Sequence, residues 1–239
     1  MKLYQGILAY ISFVVLPFIL SGLISTEYYE IILEIISLVA FGLLLHKKRM
    51  LHLSSRDLKG SQLLFCVGIG LGLALISKIA IVFGVLSQEP VPEQTTVTLF
   101  YLIQYIVTRN VLIPVVEELL YRGILFGAFS RSFSFKTAII CQAVLFMLTH
   151  RIISWPSVFV IGVLLAWIYW QTDNLAVTMV IHCTTNFGSL LATPLYILLA
   201  AHRTIGVIVC LFVVCLGILI TYLSTKMFLK NMMPCQPDT

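Results

Sequence analysis

Apolar residues run almost unbroken over stretches long enough to cross a bilayer, and the polar residues between them mark where predicted helices end. The stretch between Lys2 and Glu27 is uncharged, longer than a signal-peptide core and without a small-x-small cleavage site, so it predicts a first span. A second runs from Ile31 to His46 and stops at Lys47-Lys48-Arg49. The next segment, through Arg56 and Lys59, is polar and basic and is expected along the membrane surface. A third span covers Gln62 to Leu86 and leads into a proline-marked loop at Gln88 to Gln94 that holds no Lys or Arg. From Val97 to Ser130 the chain is apolar but long, with Pro114 inside it and Arg109, Glu117, Glu118 and Arg122 along it. One long helix, kinked by the proline, is predicted there. The basic loop Arg131 to Lys136 follows, and then apolar runs at 137–150, 152–172, 174–202 and 204–225. About eight spans result.

Composition fixes the class. Of the 239 residues 60% are hydrophobic and 10% charged, against roughly a quarter charged in soluble domains, and the mean hydropathy is +1.04. An ordinary soluble globular protein is excluded; the fold class expected is an all-α polytopic membrane helical bundle. With no repeat, low-complexity tract or long linker, residues 1–239 read as a single membrane domain. Within it, 1–96 hold the N-terminal helices and surface segment, 97–200 the motif-bearing core, and 201–239 the last helix and tail. The net charge of +5 is a matter of topology rather than of nucleic-acid binding. Lys2, Lys47, Lys48, Arg49, Arg56, Lys59, Arg131, Lys136, Lys226 and Lys230 fall on one predicted side, with only Arg203 and Arg151 on the other. That asymmetry predicts both termini inside. The six cysteines show no ligand spacing and read as small core residues, and Cys235, fifth from the end, stands one place too far for a prenylation box.

A charged side chain at mid-bilayer costs at least about 2.5–3.5 kcal/mol, so ionisable residues inside spans are functional candidates. Three spans carry polar groups: Glu117-Glu118-Leu119-Leu120-Tyr121-Arg122, Phe146-Met147-Leu148-Thr149-His150, and His182-Cys183-Thr184-Thr185-Asn186. Glu117 is 14 residues from Arg131, His150 is 14 from Lys136, and His182 and Asn186 are 9 and 13 from Asp173. At a rise of about 1.5 Å per residue these are depths of roughly 14–21 Å. Glu117, His150, His182 and Asn186 are therefore expected to form one constellation, turned inward from lipid. Glu118 and Arg122, at i,i+4 with the acid first, suit a same-face ion pair that is structural, whereas Glu117 points about 100° away. Gly123 and Gly127 make a small-xxx-small step for close helix approach.

A carboxylate and an imidazole together can hold and deprotonate a water, and a second histidine with an asparagine can stabilise an oxyanion. Two histidines and a carboxylate are equally a catalytic zinc set, with Glu117, His150 and His182 as the candidate ligands. On the residues alone, a divalent metal such as zinc and no cofactor at all both stay open. The three ordered motifs, spanning roughly residues 97–200, resemble those of the CPBP intramembrane endopeptidases, which include the CAAX prenyl endopeptidases and the bacterial Abi or bacteriocin-immunity proteins. The resemblance implies that Glu117 and His150 activate the water, that His182 and Asn186 form the oxyanion site, and that Glu118 and Arg122 support them. It implies an intramembrane protease of a bacterial plasma membrane that cleaves a membrane-associated peptide or protein. A non-catalytic bacteriocin self-immunity or sensor-regulating protein is the alternative. Oligomeric state is not set.

Elsewhere the chemistry is plainer. Lys78 is expected to snorkel outward or pair locally, and Arg109 either to line the outer part of the cavity or to pair with an outer-loop acid. Gly68-Ile69-Gly70-Leu71-Gly72 lies within a span with no Lys-Ser/Thr after it, so it signals helix packing rather than a nucleotide loop. Trp155, Trp167, Tyr169 and Trp170 read as interface anchors. A secondary transporter fits poorly, since no inverted repeat is visible.

Overall fold

The computed structural model describes residues 1–21, 29–54, 58–86, 99–188 and 192–232, and all regular structure among them is helical. Arg56, the 88–94 loop and Cys235 lie outside the described residues. The helices are α1 (Leu3–Ser21), α2 (Tyr29–Lys47), α3 (Ser61–Ile76), α4 (Ile79–Leu86), α5 (Leu99–Val107), α6 (Ile113–Glu118), α7 (Gly127–Phe129), α8 (Phe135–Leu148), α9 (Trp155–Thr172), α10 (Leu175–Phe187), α11 (Ala192–Ala201) and α12 (Arg203–Met232). Among the described residues four helices are long and apolar enough to cross a membrane: Tyr29–Lys47, Ser61–Gly84, Ile152–Thr172 and Arg203–Asn231. Leu3–Pro17, Phe135–Leu148 and Leu175–Phe187 are shorter apolar helices. This is a helical membrane protein.

Contacts group the chain into two compact units, Met1–Leu53 with Thr98–Leu175, and Ser54–Val97 with Ala176–Thr239. The centre of the first is the long helix predicted over 97–130, which runs from α5 through α7 with two π-wound stretches, Thr108–Leu112 and Leu119–Phe126. Proline has no N–H to donate, and its ring collides with the carbonyl four residues back, here that of Asn110. The wider turn at Thr108–Leu112 makes room for Pro114 without ending the helix. All eight residues of Leu119–Phe126 are buried, with α1, α2, α8 and α9 packed against them. Between helices in lipid the gain comes from close packing rather than from leaving water. Gly123 and Gly127 permit that closeness: a Cβ on Gly123 would meet Leu45 of α2 at 2.7 Å, and one on Gly127 would meet Met50 at 2.5 Å. Arg109 pairs with Glu30 near the start of α2 while Leu45 reaches Gly123 near its end, so α2 and the long helix run in the same direction.

Ser134 caps α8, its Oγ accepting from the Thr137 N–H at 3.3 Å. Pro156 sits in the first turn of α9, where its missing donor costs nothing.

In the second unit α3 lies along α12. The Gly68–Gly72 run is a packing device: a Cβ on Gly72 would stand 2.8 Å from the Gly217 carbonyl oxygen, and one on Gly70 would stand 2.6 Å from that of Ile181. The apolar run over Gln62 to Leu86 is interrupted. Between α3 and α4 the Ser77 hydroxyl donates to the Ala74 carbonyl at 2.7 Å, and Lys78 at this break is buried rather than reaching outward. Of the 174–202 run, the described residues include α10 and α11. Ile81, Val82, Leu199 and Cys210 make a small core of their own. Of the five described cysteines, Cys66 and Cys210 are buried and Cys215 is exposed.

Candidate functional site

In the first unit Glu117, Glu118 and Arg122 lie in a buried part of the long helix. Arg122 donates from Nη1 to Glu118 Oε1 at 2.7 Å, and neither side chain has any exposure. This is the i,i+4 pair expected. Nη2 of Arg122 reaches the Gly162 carbonyl of α9 at 3.4 Å, and Gln142 of α8 donates to that same oxygen at 2.9 Å. The guanidinium also lies 4.9 Å from the centre of the Phe146 ring. One arginine thus ties the long helix to both α8 and α9.

Glu117 is 7% exposed. Its charge acts on Tyr121, one turn further on, on Arg122, and on Glu34 of α2. Glu34 is itself buried, and its Oε2 has no hydrogen-bond partner among the described residues. Sequence reasoning passed over it, although the depth count would have found it: Glu34 is 13 residues from Lys47, as Glu117 is 14 from Arg131.

His150 stands just past the end of α8. Its Nδ1 lies 2.8 Å from the Phe146 carbonyl oxygen. A carbonyl only accepts, so Nδ1 carries the proton in the neutral ring and Nε2 keeps its lone pair. The Phe146 ring meets the imidazole edge-on at 4.8 Å, and Trp155 Nε1 donates to the His150 carbonyl at 3.0 Å, fixing ring and backbone together. Thr149 connects this turn to the long helix. Its hydroxyl donates to the Phe146 carbonyl at 2.9 Å, which leaves the oxygen to accept from Tyr121 Oη at 3.1 Å. Tyr121 and Thr149, missed by motif reasoning, are what join the Glu117 helix to the His150 turn. Trp155, expected at the interface, is partly buried in this structural task.

In the second unit His182, 3% exposed, and Asn186 lie one turn apart on α10, as the spacing requires. The helix is seated by Thr185, whose hydroxyl donates to the Gly70 carbonyl of α3 at 3.2 Å, and by Thr184 against the Gly70 backbone. Arg109 lies outside both groups and serves as the partner of Glu30 at 2.8 Å.

The zinc donors Glu117, His150 and His182 are divided between the two units. Among the described residues no three His, Cys, Asp or Glu side chains gather as metal ligands.

Residues 98–188 match the family model for type II CAAX prenyl endopeptidase Rce1-like proteins. The chain is also similar to UPF0177 protein YxdF of Lactococcus lactis subsp. lactis (strain IL1403), 29% identical over 82 residues, which are 33% of this chain and 45% of that protein. The match therefore spans about half the length of the curated relative. No solved structure matches. The resemblance read from the three motifs is shown over 98–188, a segment that holds all of them.

Proposed function

We propose that the chain is an intramembrane endopeptidase that hydrolyses a peptide bond of a membrane-associated peptide or protein. The observation that carries this reading is that one segment, 98–188, both matches the Rce1-like family and contains Glu117, His150, His182 and Asn186. Glu117 and His150 hold a water, whose proton passes to one of them as its oxygen attacks the scissile carbonyl carbon. The negative charge then rests on the former carbonyl oxygen, where His182 and Asn186 donate hydrogen bonds. Collapse of the tetrahedral intermediate breaks the C–N bond, and the abstracted proton goes to the leaving amine. The Nε2 lone pair of His150, left by the Nδ1 contact to Phe146, suits the imidazole to the first of these steps. Glu118 and Arg122 hold the long helix in register.

In this reading the chain works as one membrane domain of about eight spans with both termini inside, in a bacterial plasma membrane. The basic residues on one predicted side and the common direction of α2 and the long helix both suit that topology. The test compares the membrane peptidomes of cells carrying wild type, Glu117→Gln and His150→Ala. A peptide product present with wild type and lost with both variants is expected. Unchanged processing with each variant, at equal protein level, would overturn the proposal.

A further inference from the structure

Arg49 and Asp173 are the only non-glycine residues of positive φ among those described, at 54° and 47°, and both line one recess of about 410 Å³ at an end of the first unit. The recess opens where three helices stop, α2 at Lys47, the long helix at Phe129 and α9 at Thr172. Apolar helices end where the hydrocarbon ends, so this is the level of the lipid headgroups.

Each left-handed residue terminates a helix. After α2 the Arg49 N–H bonds the His46 carbonyl at 3.0 Å and the Met50 N–H bonds that of Leu45 at 2.9 Å, a Schellman pattern that glycine or asparagine ordinarily closes. After α9 the Asp173 N–H bonds the Tyr169 carbonyl at 2.7 Å. Aspartate tolerates this conformation, whereas arginine has no local reason to occupy it. Strain of this kind at a cavity wall points to a use for the side chain.

The charges agree. Arg49 and Arg131 are both exposed at the recess, and neither guanidinium has a hydrogen bond or ion pair among the described residues. The acid present, Asp173, is held by His52 Nδ1 at 2.6 Å. The carbonyls of the last helical turns named above already accept backbone N–H groups, so capping them is not what the arginines are for. Behind the charges the wall is aromatic: Tyr169, and Trp170, which is half exposed and packs on Phe135 with ring centroids 4.1 Å apart. Two guanidinium groups above an aromatic floor, at headgroup depth, match a phosphodiester with apolar chains below it.

We propose that this recess binds the phosphate of an anionic phospholipid headgroup, with Arg49 and Arg131 as its two ligands. The proposal rests on the membrane character of the chain and not on the peptidase reading. The test uses the full chain purified in zwitterionic detergent, with thermal unfolding and native mass spectrometry as readouts and phosphatidylglycerol, phosphatidylcholine and inorganic phosphate as probes. Phosphatidylglycerol is expected to raise the unfolding midpoint saturably and to be retained in the spectrum, and phosphatidylcholine to do neither. Arg49→Gly and Arg131→Gln are each expected to weaken phosphatidylglycerol binding roughly fivefold. Without lipid, Arg49→Gly should melt at least as high as wild type, because glycine fits φ 54° without strain, so misfolding cannot imitate the loss. Equal effects of the two lipids, or an undiminished phosphatidylglycerol effect in both variants, would overturn the proposal. So would a full effect of millimolar phosphate alone, which would assign the site to a soluble anion.

Discussion

Arg122 and Glu118 form a 2.7 Å ion pair in which neither side chain has any exposed surface, at the centre of the helix that carries Glu117. Water does not screen such a pair, and removal of one member leaves a buried charge without its counter-ion. Arg122→Met is expected to destabilise the protein by about 3–5 kcal/mol. The double variant Glu118→Leu/Arg122→Met should recover most of that loss, since an apolar pair of similar volume replaces both charges. Thermal unfolding in detergent measures both. A single variant as stable as wild type would mean that the pair does not hold the helix.

How much of this was readable in the sequence depends on whether a feature leaves a trace in side-chain chemistry. The long helix and the Glu118–Arg122 pair were readable because charges at fixed spacing within an apolar run leave few arrangements. The close packing at Gly123 and along Gly68–Gly72 was readable because small residues at helical spacing permit little else. The π-wound stretch Leu119–Phe126 was not: it is a choice of backbone hydrogen-bond register, which the side chains of the sequence do not reveal. The break at Ser77-Lys78 was likewise hidden inside continuous hydropathy. In the candidate site the motif residues were visible, while Tyr121 and Thr149 were not, because their value lies in a contact across 28 residues of sequence.

Glu34 extends the same reasoning to α2. Its carboxyl is buried, Oε2 lacks a partner among the described residues, and the charges of Glu117 and Glu30 act against its own while that of Arg109 acts with it. Glu34→Gln keeps the shape and removes the charge, so it is expected to raise the unfolding midpoint by a few degrees. Glu34→Ala should not, because it opens a cavity beside the long helix. A glutamine variant that melts below wild type would show that the charge itself is needed.

The α3–α12 contact can be tested at a single atom. A methyl group at Gly72 would stand 2.8 Å from the backbone oxygen of Gly217, and a backbone atom cannot rotate aside as a side chain does. Gly72→Ala is therefore expected to cost about 1–3 kcal/mol, whereas Gly42→Ala, on a glycine with open space around it, should be neutral or slightly stabilising. Melting curves of the two variants decide it, and equal midpoints would show that α3 and α12 are not in such close contact.

The peptidase reading makes its sharpest prediction about additivity. If Glu117 and His150 act on one water, removal of either abolishes its activation, and removal of both costs little more. Glu117→Gln and His150→Ala are each expected to lower kcat by about 10²–10⁴-fold, and the double variant to fall within a few-fold of the slower single one. Asn186→Ala, which removes an oxyanion donor instead, should lower kcat by about 10²–10³-fold and multiply with either of the others. Thr149→Val separates chemistry from scaffolding. It leaves the Nδ1 contact of His150 with Phe146 in place but deprives the buried Tyr121 hydroxyl of its partner, so stability should fall by about 1–3 kcal/mol with kcat nearly unchanged, and Tyr121→Phe should restore it. The measurement is single-turnover cleavage of a processed peptide in membranes at equal protein level. Losses for Glu117 and His150 that multiply fully would place the two residues in separate steps and refute the shared water.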